Sequence, residues 1–312
     1  MGSSSSAAAA ALAPPTPPQR VAWPGLLLAA VGAVAFSGKA IIVKLAYRHG
    51  VDAVTLIMYR MVFALPMFLF LAWWAGRGKP ALTVRDWRMV LFLGITGYYL
   101  ASFLDFAGLA YISASLERLI LYLNPTLVLA LGVVLFKKRV GRQQLLSLAI
   151  SYAGVVLVFG HEVTRMGADA ALGALLVFAS ALSYALYLAF SGEEVRRLGA
   201  MRLAGLATTV ACLLCLVQFL VLRPLSAAMV APEVIGLSVL NATLCTFAPV
   251  VMVMMAIERI GAGAAAQIGM IGPLSTIVMG ILILDEPFTP WVAIGTVFVM
   301  GGIWMLARVR PA

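Results

Sequence analysis

Five ionisable residues interrupt long apolar runs of this chain: Lys39, Arg60, Asp105, Glu117 and Arg118. A charge at the centre of a membrane-spanning helix costs roughly 2.5–3.5 kcal/mol on insertion scales, so such residues turn inward, pair with one another and mark solute or ion paths. The pattern predicts that Lys39 or Arg60 neutralises Asp105 or Glu117. Two roles are open to the group: an ion-pair cluster that locks helix packing, or a solute site. Lys39 is the sharpest candidate, because it lies deep in its run behind Ser37 and Gly38. As a site residue it would hold a substrate carboxylate. Lys44 lies one turn from the end of the same run and is expected to snorkel outward.

Uncharged polar groups complete the candidate set. The first half of the chain supplies Tyr98, Tyr99, Tyr122 and Asn124. The second half has no charge at comparable depth and supplies Tyr184, Tyr187, Asn241, Thr243 and Gln267. The substrate-binding candidates are Lys39, Tyr98, Tyr99, Asp105, Glu117, Tyr122, Asn124, Tyr187, Asn241 and Gln267. Interhelical hydrogen bonding is the other role open to the uncharged ones. Tyr98 and Asp105 are spaced to fall in one helical stripe. Pro125 and Pro273 sit mid-run, where each removes a backbone donor and leaves a carbonyl free to face a cavity.

Motifs for other chemistries are missing. The sequence contains no G-x-S-x-G, no Walker loop and no H-E-x-x-H; the His161–Glu162 pair continues Val163, Thr164, Arg165. That argues against an enzyme and against direct ATP coupling. No cofactor or metal is expected. Cys212, Cys215 and Cys245 lie inside apolar runs and read as small buried residues.

The elements that must position these groups follow from composition. Of 312 residues, 63% are hydrophobic and 11% charged, with a mean hydropathy of +1.05. Soluble proteins carry about 25% charged residues; this chain lacks the polar residues to cover a water-soluble core. Apolar runs fall at 22–46, 53–75, 88–109, 114–136, 143–160, 170–191, 202–222, 233–256, 261–284 and 288–307. Most are near the roughly 20 residues a spanning helix needs, and they lack the short alternation of barrel strands. The expectation is an all-α polytopic membrane protein of ten transmembrane helices. The net charge of +10 comes from basic residues in short loops, which is not a nucleic-acid footprint. Residues 1–20 are Ser-, Ala- and Pro-rich and read as a disordered cytoplasmic tail. With the N-terminus inside, 15 basic residues fall in inner loops and 5 in outer ones. This asymmetry places both termini in the cytoplasm, in a bacterial inner membrane.

Shifting the chain by 148 positions lays NPTLVLALGVVLFKKRVGRQQL on GPLSTIVMGILILDEPFTPWVA, with Pro125 on Pro273, Gly132 on Gly280 and Gly154 on Gly302. The halves are 21–161 and 169–308, five spans each. Five is odd, so the second half enters the membrane inverted. Loop charge agrees: Lys137 and Lys138 are expected inside, and their equivalents Asp285 and Glu286 outside. Inverted repeats mark many secondary transporters, with the solute site near the midplane between the halves.

The stretches YISASLERLILYLNPTLVLALGVVLF at 111–136 and GAGAAAQIGMIGPLSTIVMGILILDEPFTPWVAIGTVFVMGGIWML at 261–306 resemble the drug/metabolite transporter superfamily, in particular its ten-helix EamA branch. The Asp285-Glu286-Pro287 step is typical of that group, whereas the first half reads Lys137-Lys138-Arg139. The resemblance implies export of amino acids, related metabolites or toxic organic compounds by alternating access, with protons as a candidate coupling ion. A channel or scaffold membrane protein is the alternative.

Overall fold

The computed structural model describes residues 23–137, 141–269 and 271–307. The tail at 1–20, the basic residues Lys138, Arg139, Arg308 and Arg310, and the side chain of Gln267 lie outside the described residues. Among the described residues all regular structure is helical. The helices are α1 (Trp23–Tyr47), α2 (Ala53–Gly76), α3 (Val84–Leu109), α4 (Ala114–Leu121), α5 (Asn124–Phe136), α6 (Arg142–Met166), α7 (Ala168–Leu198) and α8 (Ala200–Leu222). α9 follows, built from Pro232–Ala242, Thr243–Phe247 and Ala248–Gly269; α10 (Ile271–Leu284) and α11 (Pro290–Ala307) close the chain. Among the described residues eight helical segments are long and apolar enough to cross a bilayer, with 114–135 counted as one, and two shorter apolar ones, Ile271–Leu284 and Pro290–Met305, accompany them.

Local chemistry sets the helix starts. Asp52 caps α2 by accepting from Val54 N and Thr55 N, and Thr83 with Asp86 forms a capping box on α3. Both satisfy backbone donors that the first helical turn leaves free.

Two segment boundaries differ from the sequence reading. The run at 114–136 is two helices, interrupted at Tyr122 and Leu123, because Pro125 opens α5. The chain also stays helical through 257–260, where hydropathy alone predicts a loop. It nevertheless doubles back: Gly25 of α1 faces Ile260 and Gly32 faces Val253, while Ser37 bonds to Gly272 O. Small residues make the tight return possible; Ala29 packs with both Ala256 and Ala265.

Helix pairing has a symmetric pattern. α2 packs on α8 and α6 on α11; α1 packs on α9, and α3 on α7. Glycines set the close approaches. A Cβ at Gly154 of α6 would lie 2.6 Å from Gly295 O of α11, and one at Gly108 of α3 would lie 2.8 Å from Gly173 O of α7. Two π turns, Gly94–Leu100 in α3 and Thr243–Phe247 in α9, stand at positions that a shift of 148 superposes. The two described non-glycine residues with positive φ, Lys137 and Asp285, are also 148 apart. Large apolar side chains such as Trp73, Val221, Leu282 and Val297 point outward, the surface expected where lipid is the solvent.

Candidate solute site

α1, α3 and α4 bring four of the charged residues together. Lys39 Nζ is 2.5 Å from Asp105 Oδ2 and 3.6 Å from Glu117 Oε1. Arg118 Nε lies 3.9 Å from Glu117 Oε2, bonds to Thr276 Oγ1 at 3.0 Å, and reaches Phe36 O through Nη2. Asp105 and Glu117 are 2% and 0% exposed. Two cations and two carboxylates therefore sum to zero in a nearly dry interior, which is the condition for burying them at all. Arg60 takes a different partner. Its Nε donates to Thr246 Oγ1 at 3.0 Å and its guanidinium lies over the Phe106 ring, 5.1 Å from the centroid. Of the two cations expected to neutralise the carboxylates, Lys39 takes that part, and Arg60 takes a hydroxyl and a ring face.

Several buried atoms of this region have no hydrogen-bond partner among the described residues: Asp105 Oδ1, both Glu117 oxygens, Arg60 Nη1 and both side-chain polar atoms of Asn241. Each unmade bond costs about 1–3 kcal/mol. Such a concentration of unsatisfied groups around one cluster suits a site built to take a polar ligand.

The tyrosines form a second, uncharged cluster. Tyr98 of α3 and Tyr187 of α7 meet edge-on with centroids 5.3 Å apart and hydroxyls 3.4 Å apart, and Tyr184 stacks on Tyr187 at 5.4 Å. Their surroundings are apolar: Val90, Leu93, Leu203 and Phe190. Tyr98 lies within the π turn of α3 and meets Tyr187 of α7, whereas Asp105 pairs with Lys39 of α1, so the two take different neighbours. Tyr99 packs into the apolar cluster of α1, α2 and α8.

Tyr122 and Asn124 spend donors on the carbonyls that proline releases. Pro125 frees Leu121 O, and Asn124 Nδ2 takes it at 2.7 Å. Pro273 frees Gly269 O, and the Tyr122 hydroxyl takes it at 2.5 Å. The expectation that these carbonyls face a cavity is thereby corrected; side chains close enough to donate cover both. Asn124 Oδ1 stays unpartnered.

A cleft of about 570 Å³ opens at one end of the bundle, lined by Lys44, Tyr47, Arg48, Ser113, Glu162 and Glu286 among others. Its acids hold the first turn of α4. Glu286 accepts from Ala114 N at 2.7 Å and from Ser115 Oγ at 2.8 Å, while Glu162 accepts from Ser113 N and Ser113 Oγ. Arg48 in turn donates to Leu284 O at 3.0 Å. Lys44 lines this cleft beside the acids. Glu162 belongs to the last turns of α6, beyond the run 143–160 read as the fifth span, and there it reaches the cleft. Sequence reading missed Glu162, Thr246 and Thr276. Glu162 had a signal, since Ser113 opens a helix whose backbone donors need an acceptor.

The EamA-like transporter family model matches residues 23–160 and again 171–308. The chain belongs to this family. It is 30% identical over 277 residues to the uncharacterized transporter YcbK of Bacillus subtilis, covering 86% of this chain and 87% of that protein. A shorter match, 25% over 111 residues and 36% of each chain, is to an uncharacterized transporter of Haemophilus influenzae. A solved structure titled "Crystal structure of protein" superposes with a TM-score of 0.58 at 18% identity, over 90% of this chain and 96% of that one; the likeness is one of fold. The EamA protein is accordingly a multi-pass membrane transporter. In it the Asp285-Glu286-Pro287 step has a physical role, because Asp285 adopts a left-handed conformation (φ 59°) that turns Glu286 back onto α4.

Proposed function

We propose that this EamA transporter is a secondary carrier of the bacterial inner membrane that exports an amino acid or related small organic metabolite by alternating access. Its two halves, 21–161 and 169–308, are read as inverted five-span repeats with both termini cytoplasmic. The paired π turns, the paired left-handed residues Lys137 and Asp285, and the exchangeable helix pairing support the repeat. The ten-span count is supported by the return of the chain along α1, which gives the short helix α10 the end of α9 as an extension.

The observation that carries the solute reading is the Lys39–Asp105–Glu117–Arg118 cluster with its unsatisfied neighbours. A packing cluster would satisfy its own members. This one leaves acceptors and donors of both signs unpaired, as suits a ligand carrying a carboxylate and further polar groups. Counterflow of labelled amino acids into proteoliposomes loaded with the unlabelled mixture tests the reading. Saturable, competable flux is expected; a non-saturable leak would make the protein a channel, and no flux would refute transport of this solute class.

A further inference from the structure

Arg60 is the buried cation of this interior that pairs with no carboxylate among the described residues. Its guanidinium is permanently charged and the residue is buried. Nε donates to Thr246 Oγ1 and the plane lies over Phe106, but Nη1 is enclosed without a partner. Asp105 is the carboxylate whose field reaches Arg60, yet its Oδ2 is held by Lys39 at 2.5 Å. The thiols of Cys212, Cys215 and Cys245 are the other polar neighbours, and thiols are weak acceptors. A hydroxyl, a ring face and thiols do not replace the hydration of an ion, and a buried charge left unpaired is costly.

The surroundings of Arg60 adjoin the Lys39 cluster. Asp105 and Phe106, successive residues of α3, set Lys39 against the first and Arg60 against the second. α9 holds Thr246 in its π turn, where the hydroxyl accepts from Arg60 and donates to Asn241 O at 2.8 Å. Such single π turns are frequent at functional sites. The Asn241 side chain is buried with both polar atoms unpaired. Asp105 Oδ1 and both Glu117 oxygens are buried acceptors without a hydrogen bond. With both acids ionised, Lys39, Arg60 and Arg118 exceed Asp105 and Glu117 by one positive charge, and protonation of either acid only enlarges that excess. Lys44 and Arg48, in the cleft, are matched in number there by Glu162 and Glu286. A zwitterion is neutral as a whole and leaves the excess in place. A solute with two carboxylates and one ammonium carries one net negative charge and cancels it.

We propose that Arg60 sets the specificity of the solute site by selecting an acidic amino acid: Arg60 takes the side-chain carboxylate, Lys39 the α-carboxylate, and Asp105 with Glu117 the ammonium. This rests on the reading that the Lys39 cluster holds an amino acid. It gives each unpaired group a partner of the right sign, Arg60 Nη1 included. Such a solute leaves the cytoplasm as a net anion, so an inside-negative membrane potential drives it outward, the direction of export.

The test uses full-length protein in proteoliposomes and radiolabelled L-glutamate, L-aspartate, L-glutamine and L-asparagine, which pair each acid with its neutral isostere. At equal, subsaturating concentration, wild type should exchange at least one acid tenfold faster than its amide. Arg60→Met should erase that preference by raising the KM for the acid at least tenfold while the amide's stays within twofold. Arg60→Lys keeps the charge without the planar fork and should lie between the two. Equal exchange of acids and amides by wild type, exchange of other amino acids but of neither acid, or an acid preference that survives Arg60→Met overturns the assignment of Arg60 and leaves amino-acid transport standing. Absence of wild-type counterflow with every amino acid instead sinks the reading beneath it. Should Arg60→Met not fold, melting temperatures of wild type and Arg60→Lys in detergent decide. The acid should stabilise wild type at a concentration at least tenfold below its amide, and that ratio should shrink in Arg60→Lys; no such ratio, or an unchanged one, refutes the proposal.

Discussion

Lys39 and Asp105, 66 positions apart in the chain, meet in a hydrogen-bonded ion pair of 2.5 Å, with the carboxylate 2% exposed and the ammonium side chain 16% exposed. The partly open cation and the closed anion give the pair a direction: the free side of Lys39 is where a solute anion can approach.

Lys39→Met should therefore cost both stability and transport. Removing one partner of a buried pair typically costs about 3–5 kcal/mol, and the melting temperature in detergent should fall accordingly. The double variant Lys39→Met/Asp105→Asn removes the stranded charge and should recover most of the stability. Its counterflow should stay at least tenfold below wild type. Recovery of transport along with stability would reduce the pair to a packing device. Lys39→Arg keeps the charge and changes its geometry, so it should fold normally and transport poorly.

The loop charges predict topology. A cysteine introduced at Thr289 should react with an impermeant thiol reagent added outside intact cells, and one at Gly141 should react only after the membrane is opened. Equal labelling of both from outside would contradict the inverted arrangement of the halves.

The α6–α11 contact predicts a stability effect remote from the solute. A side chain at Gly154 meets Gly295 O at 2.6 Å and Phe298 Cβ at 2.8 Å, so the two helices must separate. Gly154→Ala should destabilise by about 1–3 kcal/mol, the usual range for overpacking. Its solute half-saturation concentration should remain unchanged. A shift in affinity would tie this contact to the site.

Asp52 predicts a pH dependence outside the membrane. Burial pushes its carboxyl up, but hydrogen bonds from Thr55 and the Arg223 guanidinium outweigh that and hold it below the usual aspartate range. A depressed folded value means the stabilisation is complete above the unfolded value, about 3.9, and disappears as pH falls through the folded one. Asp52→Ala should lower stability at neutral pH by about 1 kcal/mol, the typical value for an N-cap. The gap from wild type should narrow only below the ordinary aspartate range; a constant gap across acid pH would show that the charge plays no part.

Membrane residence and helical class were legible in the sequence alone, because lipid as solvent forces long apolar helices whatever the tertiary contacts. The membership of Lys39, Asp105, Glu117 and Arg118 in one buried cluster was legible too, since isolated charges at that depth are too costly to leave unpaired. Partner choice was not. Only tertiary structure decided that Arg60 would turn to Thr246 and Phe106, because one register of α2 against α9 sets which acceptor lies within 3 Å. Tyr122 and Asn124 looked like solute ligands from residue type, yet their donors go to carbonyls freed by prolines; the Asn124 bond is local, and the Tyr122 bond exists only once the end of α4 is packed against the start of α10. Glu162 and Glu286 looked like loop acids; the fold turns both onto the first turn of α4, where backbone donors await an acceptor. Apolar patterning is a one-dimensional property and survives in the sequence, whereas hydrogen-bond assignment depends on ångström-scale distances between segments that the chain itself keeps far apart.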